Sequence, residues 1–222
     1  MVDHRKYPIP RVRHHVSPQL YAPASAQHVL PSWYPPVVTD APWHEWFGNA
    51  KPATVLDLGC GRGGFLLGHA LAFPEENVLG LEVRQTLVTW INGVVDGEAL
   101  PNARALWYSL VNGLDWIAPA SIHTAFYLFP DPWPKKRHYK RRAFNADFVQ
   151  MIARILVPGG RLYLATDRPE VDDYQTSVIE ATGGLTLSPL YEGSTWPFEH
   201  RTDQQRFCDR KDIPYAWRFA QR

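Results

Sequence analysis

The chain has 222 residues, 45% of them hydrophobic, with 23 Lys and Arg against 22 Asp and Glu. That is enough for one domain with a sizeable core, and the charge is too balanced to name a partner by itself. No apolar run reaches the roughly 20 residues of a membrane span, and the charged, Pro-broken start does not read as a secretory signal. Two cysteines, Cys60 and Cys208, make neither a disulfide framework nor a metal cage and suit a reducing cytoplasm.

Residues 1–40 carry Pro8, Pro10, Pro18, Pro23, Pro31, Pro35 and Pro36 and the basic group Arg5, Lys6, Arg11, Arg13, His14 and His15. Without periodicity, this reads as an extended, basic, Pro-rich arm preceding a domain over 41–222. From Ala53 the pattern becomes short apolar runs alternating with helical stretches. Strands are expected over 54–58, 77–82, 103–108, 122–129 and 161–166. Helices are expected over 63–73, 84–96, 143–156 and 171–181, the third closed by Pro158-Gly-Gly160. The segments 185–191 and 215–219 are expected to form a terminal antiparallel pair. Such alternation implies an open, mostly parallel sheet with helices on both faces, its ligand at the carboxyl ends of the strands.

Asp57-Leu-Gly-Cys-Gly-Arg-Gly-Gly64 follows the first strand and opens a helix. Gly59, Gly61 and Gly64 satisfy the dinucleotide fingerprint, and Glu82 lies where a ribose-binding acid should be, so a nicotinamide or flavin enzyme is one reading. Asp57 weighs against it. A carboxylate at the strand end repels a pyrophosphate but can hold the ammonium of a methionine moiety. A loop serving S-adenosylmethionine needs only close backbone approach. Leu156-Val-Pro-Gly-Gly-Arg-Leu162 resembles the helix stop and turn of class I methyltransferases.

The most specific stretch is Phe129-Pro-Asp-Pro-Trp-Pro-Lys-Lys-Arg-His-Tyr-Lys-Arg-Arg142. It sets one carboxylate between prolines at a strand end, and a basic block follows. Together with Gly59-Cys-Gly-Arg-Gly-Gly-Phe65, Gly80-Leu-Glu-Val-Arg84 and Thr166-Asp167, it resembles the bacterial-type tRNA (guanine-N7)-methyltransferases over about residues 53–180. The resemblance implies the Rossmann-like class I methyltransferase fold, α/β with a mostly parallel seven-stranded sheet and helices on both faces. It also implies S-adenosylmethionine as cofactor and tRNA as partner. His14, His15, His123 and His138 have no spacing that suggests a metal site, and with no long apolar run neither metal nor membrane is expected.

Carried over by position, Asp57, Gly59, Gly61, Glu82, Ser109 and Asp131 match the cofactor-binding set, and Asp131 the catalytic acid. Lys135 and Asp167 match substrate-contacting positions. The block Lys136, Arg137, Lys140, Arg141 and Arg142 is read as phosphate-binding, against the plainer reading of a solvated charged face. Trp133 is a candidate stacking residue. Two departures stand out. Ser109 replaces the Asp or Asn usual on the adenine side. The C-terminal Thr-x-Phe-Glu run appears as Ser194-Thr-Trp-Pro-Phe-Glu-His-Arg201, with one residue extra. Trp196, Phe198, Glu199 and Arg201 are read as the substrate pocket of this altered run. A methyltransferase of another RNA base and a weakened RNA-binding relative remain open alternatives.

Overall fold

The computed structural model describes residues 3, 5–12, 16–132 and 143–222. The expectations for Arg13, His14, His15, Trp133, Lys135, Lys136, Arg137, His138, Lys140, Arg141 and Arg142 therefore concern residues outside those described.

A short helix, α1 (Trp43–Trp46), precedes β1 (Val55–Leu58), α2 (Gly64–Ala72), β2 (Val78–Glu82), α3 (Gln85–Gly97), β3 (Ala103–Trp107) and β4 (Ile122–Leu128). The chain continues through α4 (Ala146–Ile155), β5 (Leu156–Thr166), α5 (Pro169–Thr182), β6 (Thr186–Leu187), β7 (Tyr191–Glu192), α6 (Asp203–Lys211) and β8 (Ala216–Gln221). Every residue of β1 and β2 is buried, as strands covered on both faces require.

The two-residue period of the strands divides the core into two layers. Leu56, Leu58, Leu79 and Leu81 face one way and pack with Phe148 and Ile152 of α4 and Ile179 of α5. Val55, Val78, Phe126 and Tyr163 face the other and pack with Phe65 and Leu66 of α2 and Ile91 of α3. The apolar stripe of α4 follows the helical period, and its first turn is closed by Asn145, whose side chain accepts from the Phe148 amide at 2.9 Å.

The strand order is β3-β2-β1-β4-β5-β8-β6, with β7 also pairing β8. β1 to β5 are mutually parallel, and β8 runs antiparallel to β5. β6 and β7 lie against the two ends of β8 as pieces of one edge strand broken at 188–190. The seven-stranded, mostly parallel expectation is met, with the terminal antiparallel pair where it was read. Helices lie on both faces.

Two boundaries differ for physical reasons. Helix α4 stops at Ile155 and β5 starts at once, so Pro158-Gly-Gly160 sits inside the strand. Ile122 faces Leu156 while Thr124 faces Arg161, so 157–160 bulge out, helped by Gly159 at φ +81°. Residues 203–211, for which no helix is expected above, form α6. Its start carries a capping box in which Thr202 accepts from the Gln205 amide and Gln205 accepts from the Thr202 amide.

The described part of the arm is tied to the domain. Pro18–Tyr21 and Ala24–Ala26 form single 3-10 turns. The Ser109 hydroxyl donates to the Leu20 carbonyl at 2.7 Å, and the Ala24 amide donates to Asn112 Oδ1 at 2.8 Å. Tyr34 donates to the Ala22 carbonyl at 2.8 Å, and Lys6 pairs with Glu98 at 2.7 Å.

Candidate active site

Sheet order reverses between β1 and β4, and a cleft opens there at the carboxyl ends of the strands, where α/β sheets bind ligands. Gly59, Glu82, Ser109 and Asp131 line it, with Leu20 and Tyr21 of the arm closing one side. Asp57 and Gly61 adjoin it.

The glycine loop leaves β1 with its amides turned onto β2. Gly59 and Cys60 donate to the Leu81 carbonyl at 2.8 and 3.0 Å, and Gly61 donates to Glu82 Oε2 at 3.0 Å. Gly59 and Gly61 hold φ of +82° and +58°, a region costly for other residues. A Cβ on Gly59 would meet no atom within 4 Å, so it would stand in the space a ligand needs.

Asp57 is 3% exposed, and its Oδ2 has no hydrogen-bond partner among the described residues. Burial, then the nearby Glu82 carboxylate, push its carboxyl up to about 7, eased only by the Leu66 backbone amide. A buried carboxylate left half-satisfied is expensive unless a cation completes it. This orphaned oxygen and the open glycine cradle fit the amino-acid end of S-adenosylmethionine.

Glu82 is 4% exposed and fully occupied. Oε1 accepts from the Arg84 amide at 2.9 Å and Arg84 Nε at 2.8 Å; Oε2 accepts from Gly61 and from Arg84 Nη2 at 3.2 Å. Any further donor reaching Glu82 would have to share or replace the Arg84 guanidinium. Arg84 is a site residue that sequence reading passed over, although it stands in the quoted Gly80-Leu-Glu-Val-Arg84 string.

Ser109 reaches the cleft with its hydroxyl proton committed to Leu20, which leaves its oxygen as an acceptor only. Asp131 is exposed on the cleft lip and accepts from the Tyr21 hydroxyl through Oδ2 at 3.1 Å. The turn that presents it is strained. Phe129 sits at φ +49°, held by its amide on the Ala165 carbonyl at 2.8 Å, a conformation costing a bulky residue about 1–3 kcal/mol.

The C-terminal run lies outside the cleft lining. Trp196 is 6% exposed, packs edge-on against Trp217 at 5.4 Å and donates its indole N–H to the His200 carbonyl. Phe198 lies edge-on to Phe126 and Tyr163 at 5.3 Å. Both rings serve the core, so neither offers a face to a base in this structure. Arg201 donates to the Tyr215 hydroxyl at 2.8 Å; Glu199 is exposed; Asp167, beyond β5, accepts from Gln204 at 3.3 Å. None of the five lines the cleft. Below the run, His69 and His200 meet at 3.1 Å, and His69 also contacts Glu76 at 2.7 Å. Burial lowers both imidazoles, His200 to about 3.

The fold around this cleft is that of S-adenosylmethionine-dependent methyltransferases. An Aquifex aeolicus methyltransferase of that dependence superposes with a TM-score of 0.54 at 16% identity, over 76% of this chain and 81% of that one. The 16S rRNA methyltransferase KamB superposes at 0.57 and 16% identity, over 80% and 89%. A family model described as a putative methyltransferase matches residues 51–203.

Sequence relatives are narrower in kind. A tRNA (guanine-N(7)-)-methyltransferase of Thermosynechococcus vestitus is 34% identical over 213 residues, 94% of either chain. One of Bordetella pertussis is 40% identical over 142 residues, covering 64% of this chain and 54% of that relative. The chain belongs to the tRNA (guanine-N(7)-)-methyltransferase family.

Proposed function

We propose that the protein transfers the methyl group of S-adenosylmethionine to N7 of a guanine in tRNA, and that this guanine lies in the variable loop. The orphaned Asp57 oxygen beside the glycine cradle carries the cofactor assignment. The base and its loop rest on the family.

Asp57 would hold the cofactor's ammonium, Gly59 and Gly61 would give it close backbone approach, and Glu82 would accept from its ribose. Ser109 would offer its oxygen on the adenine side. When bound, the cofactor supplies a methyl on a sulfonium whose charge is lost on transfer. Guanine N7 already carries a lone pair, so no residue has to remove a proton to make the nucleophile. The protein's work is alignment and exclusion of water. Asp131 would accept from the guanine N1–H and exocyclic amine, fixing the base and offsetting the positive charge that grows on the purine. Asp167, Glu199 and Arg201, carried by the elements after β5, are proposed to meet the tRNA once it is seated. Lys135, Lys136, Arg137, Lys140, Arg141 and Arg142 would hold phosphates, giving affinity without base identity.

Incubation with labelled S-adenosylmethionine and bulk unmodified tRNA, followed by nucleoside mapping, tests this. 7-Methylguanosine in the variable loop is the expected product. Label in another nucleoside would reassign the base, and no label would remove the activity.

A further inference from the structure

Asp131 stands on an open lip, where a carboxylate would ordinarily swing among rotamers, yet the arm reaches over 110 positions of sequence to hold it. Tyr21 is the residue that does so. Its hydroxyl donates to Asp131 Oδ2 at 3.1 Å, and its ring lines the cleft. The turn carrying Tyr21 is fixed from behind at separate points. Ser109 donates to the Leu20 carbonyl, Asn112 accepts from the Ala24 amide, and Tyr34 bonds both the Ala22 carbonyl and Asn112 at 2.8 and 3.0 Å. Each anchor comes from the segment after β3 or from the arm itself, so the hydroxyl is placed by a braced frame.

We infer that Tyr21 is a positioning residue for the methyl transfer: its hydroxyl holds one oxygen of Asp131 so that the other is presented to the guanine. This rests on the reading of Asp131 as the base-orienting carboxylate. The phenol suits the task. Burial, then the adjacent Asp131, raise its ionisation well above the ordinary phenol range, so it remains a donor at every physiological pH. A carboxylate that gives one lone pair to Tyr21 keeps both lone pairs of its second oxygen for the two guanine donors. The arm then contributes to the chemical step. Ser109 also gains a use that its reading as an adenine contact did not foresee, since its proton locks the turn that carries Tyr21.

A double-mutant cycle on the full-length protein tests this, using single-turnover rates with saturating S-adenosylmethionine and an unmodified tRNA transcript. Tyr21→Phe keeps the ring and the docked arm and removes only the donor. It should slow transfer roughly 10-fold, the order of a hydrogen bond to a charged group, while cofactor and tRNA dissociation constants stay within about twofold. In an Asp131→Ala background the same change should cost less than about twofold, because no carboxylate remains to be held. An equal loss in both backgrounds would overturn the inference, as would an unchanged Tyr21→Phe rate or a loss confined to cofactor affinity. If Asp131→Ala alone left the rate intact, the reading of Asp131 would fall first, and that variant still carries Tyr21.

Discussion

Asp57 lies on the floor of the cleft, 3% exposed with one oxygen unpartnered among the described residues, whereas Asp131 lies on its lip, open to solvent and bonded to a hydroxyl from the arm. The floor acid is set by neighbours that are close in sequence: its own strand, the glycine loop and Glu82 across the β1–β2 register, where Asp57 pairs with Gly80. The lip acid is set by a strained turn and a tyrosine from a remote segment. The difference separates two tasks. An acid whose desolvation is already met by the fold can bind a cation tightly when one arrives. An acid that must meet a macromolecule has to stay accessible, and needs an outside brace to keep its direction.

Changing the lip should give the largest effect. Asp131→Asn is expected to lower the single-turnover rate by roughly 10²–10³ with tRNA affinity nearly intact, as for loss of one preorganised electrostatic contact. At saturating cofactor the wild-type rate should be flat from about pH 5.5 to about 8.5, since N7 needs no deprotonation. A log-linear rise across that range, abolished in Asp131→Asn, would make the residue a general base instead.

On the floor the expected losses are in binding. Glu82→Ala should weaken S-adenosylmethionine by about 1.5–3 kcal/mol in a calorimetric titration, and NAD should not bind. The substitution also frees Arg84, so a smaller loss would mean that Arg84 takes the ribose itself.

The floor also predicts a gain in stability when function is removed. Asp57's folded value, about 7, lies above the ordinary carboxylate range. Its ionisation therefore weakens the fold progressively as pH rises from that range through about 7. Asp57→Asn should stabilise the cofactor-free protein by about 1–2 kcal/mol at pH 8 and less at pH 5, with cofactor affinity lost. Thermal melts at the two pH values would show it, and equal shifts at both would break the contrast between floor and lip.

The smallest effects belong to single phosphate contacts. Each of Lys136, Arg137 and Lys140 that touches a phosphate should add up to about 0.7–0.9 to the log–log salt slope of tRNA binding. Reversing Lys136 and Arg137 together should lower that slope and leave cofactor affinity unchanged. An unaltered slope would return the block to a solvated face.

What could be read from the sequence follows the same division. The strand–glycine loop–helix unit, Glu82 at the end of β2 and the antiparallel close were legible because local pattern determines them. The bulge at 157–160 was not, because Pro158-Gly-Gly160 serves equally as a helix stop and as an irregular strand. The packing of Trp196 and Phe198 against Phe65, Phe126, Tyr163 and Trp217 was not legible either, because those partners lie far away in sequence. The capping box at Thr202 and Gln205 was a readable signal for α6. Tyr21 gave no signal at all, since nothing local in a Pro-rich arm says which carboxylate it will meet.

The broken edge strand has a consequence for how these molecules behave in company. β6 and β7 offer two residues each, and Pro189 in the gap between them has no amide hydrogen to donate. A strand from another molecule laid along this border would find its ladder interrupted after a single pair on either side. Open sheets are vulnerable to end-on accretion where a long straight border is exposed. Here that border is cut short, so an added strand is denied a continuous ladder along this edge.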